Sequence, residues 1–314
     1  MYHFIIMILD DKKYTGNDFN LIAGVDEVGR GPLCGPVIAS AVMFPKGLTI
    51  EGINDSKKLS AKKRETFFDV IKENALSIGI GVVHEQKIDE LNILEATIIA
   101  MREAVQRLDI QPQMILVDGN MRDIAGVTQK NIIKGDSKSL CIAAASIIAK
   151  VTRDRMMLEY NKVFPGYGLS TNMGYGTKEH ISALKKKLST PIHRQSFNPI
   201  PDYMPRFGDI SDMGILSAEL AACEMIKTGH EIIRVKDSSL KVVDIISSFN
   251  NEYFAFKLYS SNENIEEIKN KMTRECELAL LEDNIKKDIT SSINISVISV
   301  EFSRKKPKVI FKSI

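Results

Sequence analysis

Apolar and polar positions follow two rhythms along this chain. Residues 20–27 and 36–44 are short apolar runs joined by a Gly/Pro turn, and they predict two hairpin-linked strands. Residues 78–83 predict a third. Between them, Ser60 opens a helix that runs to Asn74. Ile88, Leu91, Ile98, Met101, Val105 and Leu108 form an apolar stripe, which predicts one helix over residues 88–108. Met114 to Val117 predicts a buried strand ending at Asp118-Gly119-Asn120. Residues 131–134 predict another, ending at Gly135-Asp136, and residues 139–160 a long helix rich in alanine at its start. Hairpin-linked strands followed by strand–helix alternation predict an α/β fold with a mixed sheet flanked by helices.

The pattern then lapses. Pro191, Pro199, Pro201 and Pro205 interrupt residues 191–209, which read as a tail and linker. Beyond them a second series begins: a helix over 211–228, strands over 231–235, 240–247 and 252–259, a helix over 264–282, and strands over 293–302 and 308–312. That is long enough for a small α/β core of its own. The expected domains are therefore 1–205 and 209–314.

Composition narrows the class without naming a function. With 44% hydrophobic and 26% charged residues in 314, the chain reads as soluble and globular. A net charge of +2 says little about partners. Counted separately, residues 1–200 carry +4 and the remainder −2, a weak pointer to polyanion binding by the first part. Cys34, Cys141, Cys223 and Cys276 are far apart and form no CxxC pair, which argues against structural zinc and for reduced thiols in a cytoplasmic protein. Met1 to Leu9 is apolar but lacks a basic flank and a cleavage site. It reads as a first strand, or as a stretch before an alternative start at Met7, and neither as a signal peptide nor as a membrane span.

The chemistry concentrates at strand ends. Asp26 and Glu27 close an apolar strand and run directly into Gly29-Arg30-Gly31-Pro32. Adjacent carboxylates there are costly unless a cation neutralises them, and hard divalent cations prefer oxygen ligands. Asp118 and Asp136 sit at two further strand ends, where open α/β sheets place their sites. A cluster of this kind suits two-metal phosphodiester hydrolysis, in which one ion activates water and the other stabilises the leaving oxygen. Taken singly, each acid has a plainer use. Asp before Gly is a common turn residue, Asp136 suits a helix N-cap, and Asp154, an alternative fourth acid in Arg153-Asp154-Arg155, suits a solvated salt bridge. Lys57, Lys58, Lys62, Lys63, Arg64 and Lys185-Lys186-Lys187 suit phosphate contacts or an ordinary solvated face. His180 and His193 are too isolated to read as ligands.

The ordered motifs resemble a known family. Gly24-Val25-Asp26-Glu27-Val28-Gly29-Arg30-Gly31-Pro32 and Asn54-Asp55-Ser56-Lys57-Lys58-Leu59 are similar to ribonuclease HII, the type 2 ribonuclease H. The similarity continues through Asp89-Glu90-Leu91-Asn92, Val117-Asp118-Gly119-Asn120, Lys134-Gly135-Asp136-Ser137, Ala143 to Asp154, Phe164 to Gly168, Gly174-Tyr175-Gly176-Thr177 and His193-Arg194-Gln195-Ser196-Phe197. It is collinear over roughly residues 20–200. The resemblance implies an RNase H-like fold, endonucleolytic cleavage of RNA in RNA–DNA hybrids, and incision 5′ of single ribonucleotides in duplex DNA, leaving 5′-phosphate and 3′-hydroxyl ends. It implies two Mn²⁺ or Mg²⁺ ions held by Asp26, Glu27, Asp118 and Asp136, which makes Asp136 and not Asp154 the fourth ligand. It also implies that Gly29, Arg30 and Gly31 read the ribose 2′-hydroxyl, the group that separates RNA from DNA, and that Tyr175 stacks on the neighbouring sugar. Without the resemblance, Tyr175 reads equally as a packed loop tyrosine. Met173 departs from the family, which often has a basic residue before the glycine. Expected partners are hybrid and ribonucleotide-containing duplexes, with no membrane and a monomeric state. A replication-clamp contact and a role in DNA replication and repair are left open.

Residues 209–314 resemble, more weakly, the YraN-type family with a restriction-endonuclease-like fold. The resemblance rests on Ala218-Glu219-Leu220, Gly229-His230-Glu231, Val243-Asp244-Ile245 and Phe254-Ala255-Phe256-Lys257. A nuclease of that type needs an Asp and a Glu-x-Lys. Asp244 and Lys257 are present, but Ala255 holds the glutamate position and Val243 that of a usual acid, so no cleavage is expected there unless Glu219 reaches the same edge. The basic run Arg304-Lys305-Lys306-Pro307-Lys308 suits nucleic acid or solvent alike. The competing view of the chain is a binding module with weak catalysis, recruited through its C-terminal domain to replication or repair structures.

Overall fold

A computed structural model of the chain describes residues 11–15, 19–206, 209–210, 212–236, 240–258, 265–283, 293–301 and 308–313. The apolar start and the basic run at 304–307 lie outside the described residues. Contacts between residues divide the chain into two units. The first holds residues 1–155, 174–176 and 193–202, and the second 156–173, 177–192 and 203–314.

The first unit is built on β1 (Ile22–Val28), β2 (Val37–Met43), β3 (Ser77–Val83), β4 (Met114–Asp118) and β5 (Thr128–Ile132), with α1 (Lys12–Thr15), α2 (Ala61–Asn74), α3 (Glu85–Leu91), α4 (Ile93–Gln106) and the start of α5 (Leu140–Val163). The sheet order is β3-β2-β1-β4-β5. β1, β2 and β3 pair antiparallel, whereas β4 runs parallel to both β1 and β5. This is the mixed sheet that the pattern predicts.

Period-two alternation sends each strand's side chains to two cores. Ala23, Val25, Ala39, Ala41, Ile115 and Val117 pack with Ala100, Met101 and Ala104 of α4. On the other face, Val42 joins a cluster with Phe68 and Ile71 of α2 and Ala143 to Val151 of α5, while Leu116 meets Ile142. Gly24 permits the close approach of α5: a Cβ there would sit 2.1 Å from the Cys141 carbonyl carbon.

Two boundaries differ from the sequence pattern. The helix expected over 88–108 is two, because Asn92 takes a left-handed φ of 86° and its side chain caps the second by accepting from the Leu94 and Glu95 amides. The apolar stripe continues across the break, so spacing alone does not reveal it. The strand expected at 131–134 is β5, which begins and ends earlier, and Lys134 is left-handed at φ 57°.

The second unit contains the end of α5, α6 (Leu169–Asn172), α7 (Lys178–Lys187), α8 (Met213–Lys227), α9 (Ile265–Glu282) and the sheet β10-β9-β8-β7-β6, formed by β6 (Glu231–Val235), β7 (Ile245–Phe249), β8 (Glu252–Leu258), β9 (Ile293–Glu301) and β10 (Lys308–Ser313). β7 starts later than expected from the apolar run at 240–247. Leu240, Val243, Ile246, Ala255 and Ile295 form a core with Met272, Cys276, Ala279 and Leu280 of α9. At β6, the Ile232 N–H donates to Glu159 Oε2 at 2.6 Å and its carbonyl accepts from Lys162 Nζ at 2.8 Å. Among the described residues, no helix is long and apolar enough to cross a membrane.

Candidate active site

The strand register brings the acids together. Val25 pairs with Val117 in the parallel β1–β4 ladder, so Asp26 and Asp118 follow on adjacent strands. Both fall on the α5 face, since Gly24 and Leu116 two residues earlier touch α5. The Gly135 amide donates to Asp118 Oδ1 at 2.6 Å, which draws the turn carrying Asp136 against the end of β4. Glu27 follows Asp26 directly, and Arg30 Nη1 lies 3.4 Å from its Oε1. Asp136 does not cap α5. It lies in a separate 3₁₀ turn, Gly135–Ser137, while the Ser139 hydroxyl accepts from the Ile142 amide at the helix start.

These carboxylates are costly to charge together. Asp26 is 5% exposed and Asp136 7%. Burial, followed by the charges of Glu27 and Asp118, pushes Asp26 well above the usual carboxylate range. Burial raises Glu27 as well, with Arg30 opposing and Asp118 adding to the rise. Asp136 is raised by burial, Asp118 and Asp55. No three of the four acids place ligand oxygens within 4.8 Å of one another. One lysine is drawn in. Burial pulls Lys57 down, but Asp26, Asp136, Asp55 and Asp118 together hold it above its ordinary value.

Other residues buttress the acids. Asp26 accepts from the Glu27 amide at 2.7 Å, and the nearby Ser146 hydroxyl, whose Oγ lies 2.7 Å from Ser56 Oγ, opposes the rise in its pKa. Asp55 accepts from the Lys57 amide at 2.9 Å, and its proximity helps to raise Asp136. Asp55, Ser56 and Ser146 carry no role in the sequence reading. The usable signal is Ser146, a hydroxyl alone within a run of alanine and isoleucine. Asp154 pairs with Lys150 Nζ at 2.7 Å and Arg64 Nη2 at 3.8 Å, a salt-bridge residue on α5. Arg64 turns inward to the Ser56 and Leu59 carbonyls, while Lys58, Lys62 and Lys63 remain exposed.

Beside the acids lies the glycine turn. Gly29 has φ 95°, a conformation that side chains resist. Tyr175 is 46% exposed, and a Cβ on Gly31 would lie 3.4 Å from its Cε1, so the ring borders the turn. The Leu33 amide donates to the Gly174 carbonyl at 2.8 Å and ties the two segments together. His193 is buried in this unit, and its main chain bridges to Cys34. In the second unit His180 is buried on α7, and Lys187 Nζ donates to the Pro165 carbonyl.

A mixed five-stranded sheet with acids at the ends of its central strands defines an RNase H-like protein. A sequence model of the ribonuclease HII family matches residues 23–200, and the chain belongs to that family. Membership makes it a nuclease of the ribonuclease H type, a hydrolase. The crystal structure of ribonuclease H2 from Pyrococcus horikoshii OT3 is 26% identical, with a TM-score of 0.51 over 58% of this chain and 96% of that one. Ribonuclease HII from Archaeoglobus fulgidus, solved in complex with PCNA, is 28% identical, with a TM-score of 0.46 over 53% of this chain and 87% of that one.

Proposed function

We propose that the chain degrades the RNA of RNA–DNA hybrids and incises duplex DNA 5′ of single embedded ribonucleotides. The observation that carries this reading is the convergence of Asp26, Glu27, Asp118 and Asp136 at one sheet end, beside a glycine turn bordered by an exposed tyrosine. The four carboxylates form an all-oxygen, acid-rich donor set of the kind that hard divalent cations take. Two Mn²⁺ or Mg²⁺ ions held by these acids would supply charge stabilisation and a lowered water pKa. Asp26 is fixed by the Glu27 amide and Asp118 by the Gly135 amide. Lys57 would supply a cation beside the acids. The Gly29–Gly31 turn would meet the 2′-hydroxyl with main-chain groups, and the Tyr175 ring would lie on the adjoining sugar.

The same reading divides the chain into a catalytic domain, 1–205, and a second domain, 209–314, that does not cleave. Asp244 is buried and spent on Lys236 Nζ at 2.8 Å, Lys257 Nζ at 3.5 Å and the Leu258 amide. Ala255, at the glutamate position, is buried in the apolar core with α9. Glu219 sits on α8, where burial pushes it up to about 7 and its charge acts on Tyr167.

The test is cleavage of a DNA duplex carrying one ribonucleotide, with Mn²⁺ or Mg²⁺, mapped at nucleotide resolution. A single cut 5′ of the ribonucleotide is expected. Asp26→Ala and Asp118→Ala should each abolish it, a loss of at least about a thousandfold, while sparing binding of the duplex. Full activity in either variant sinks the assignment.

A further inference from the structure

The turn beside the acids is held from behind by two arginines. Arg153 and Arg194 are both fully buried, an unusual place for a guanidinium. Arg194 donates through Nε to the Gly35 carbonyl at 3.0 Å, through Nη1 to that of Arg30 at 3.0 Å, and through Nη2 to those of Gly29 at 2.6 Å and Gly35 at 2.8 Å. Arg153 donates through Nε to the Pro36 carbonyl and through Nη2 to the Cys34 carbonyl, both at 3.0 Å. Five carbonyls of one eight-residue segment, 29–36, are thus taken up by two rigid forks.

Further contacts make the arrangement specific. A Cβ on Gly29 would lie 2.4 Å from Arg153 Nε, so the turn rests directly on that guanidinium. The Arg194 amide donates to the Leu33 carbonyl, and the Leu33 amide to the Gly174 carbonyl next to Tyr175. Arg194 itself is steadied by Phe197, whose ring centre lies 4.9 Å from its Cζ. Asp89 fixes the chain after it by accepting from the Gln195 and Ser196 amides, each at 2.9 Å. Burial and the neighbouring Arg153 lower Arg194 to about 10, which leaves it charged at neutral pH.

We infer that Arg153 and Arg194 are positioning residues for sugar selection: they hold the inward carbonyls of the 29–36 segment and so aim its outward groups at the 2′-hydroxyl. Lysine keeps the charge but loses the planar fork that serves several carbonyls at once. The inference rests on the proposed reading of Gly29–Gly31 as the sugar reader.

The experiment compares the full-length wild type with Arg194→Lys, Arg153→Lys and a core control, Val105→Ala, in two measurements. The first is hydrogen–deuterium exchange without nucleic acid. Residues 29–36 are expected to exchange about tenfold faster in both arginine variants, with β1 and β4 unchanged, because hydrogen bonds from a charged donor are lost. The second is competition, in EDTA, between a duplex carrying one ribonucleotide and the all-DNA duplex. The preference for the ribonucleotide is expected to fall about tenfold in the arginine variants. Val105→Ala should lower the melting temperature and leave both readouts as in the wild type. Should Arg194→Lys fail to fold, Arg153→Lys, which serves two carbonyls and not three, carries the same test. An unchanged preference in folded arginine variants overturns the inference. If the wild type itself shows no preference, the sugar reading fails. The exchange rates then decide separately: faster exchange at 29–36 keeps the arginines as the turn's supports, and unchanged exchange overturns that too.

Discussion

Asp26 pays for its position in stability. Burial and the charges of Glu27 and Asp118 raise its folded pKa well above the ordinary value of 3.8, so the folded protein holds a proton that the unfolded chain has released. Stability must then fall as pH rises from about 4 through the folded value. In metal-free buffer at pH 7–8, Asp26→Asn is expected to raise stability by about 1 kcal/mol, roughly 2 to 4 °C in melting temperature. Adding Mn²⁺ should raise the wild-type melting temperature and narrow that gap. A variant that melts below the wild type without metal contradicts the account. The acids were legible in the sequence because charge at the end of an apolar strand has few structural uses. Arg153 and Arg194 were not, although both lie inside motifs that the sequence displays. An arginine between polar neighbours gives no sign that it is fully buried, and its partners are backbone carbonyls more than a hundred residues away.

At the scale of elements, the order of the described strands followed from apolar spacing in both sheets, while their ends did not, and α7 falls where no helix was expected. Asn92 shows why. It sits within a stripe that continues on either side, and only its left-handed backbone and side-chain cap break the helix. Asn92→Ala is expected to cost about 1 to 2 kcal/mol in chemical denaturation, since it loses the cap and keeps the strained φ. Asn92→Gly should cost less, because glycine accepts that backbone readily. Equal costs for the two would remove backbone strain from the explanation. Lys134 makes the same point at β5, where apolar Ile132 and Ile133 predict a strand that runs on to residue 134. The left-handed turn ends it and brings Gly135 to Asp118. In the first sheet both misplaced boundaries thus involve a residue other than glycine at positive φ, which pattern alone does not register.

For the whole molecule, the question is where its nuclease chemistry resides. If the second domain is inert, full-length Asp118→Asn should show no metal-dependent cleavage of hybrid, ribonucleotide-containing duplex, plain DNA or RNA. Residual cutting that Asp244→Asn removes would place a second active centre on β7 and β8. Asp244→Asn alone is expected to leave ribonucleotide incision intact while weakening the fold, because Lys236 and Lys257 lose their shared partner. The second sheet also has a rim to protect. An outer strand carries a row of unused main-chain groups, a ready template for any extended chain that drifts past. At Ile232 of β6 that template is already occupied, its donor by Glu159 and its acceptor by Lys162. A stranger strand would have to evict two charged side chains to dock there, so this side of the sheet works as a sealed margin at Ile232.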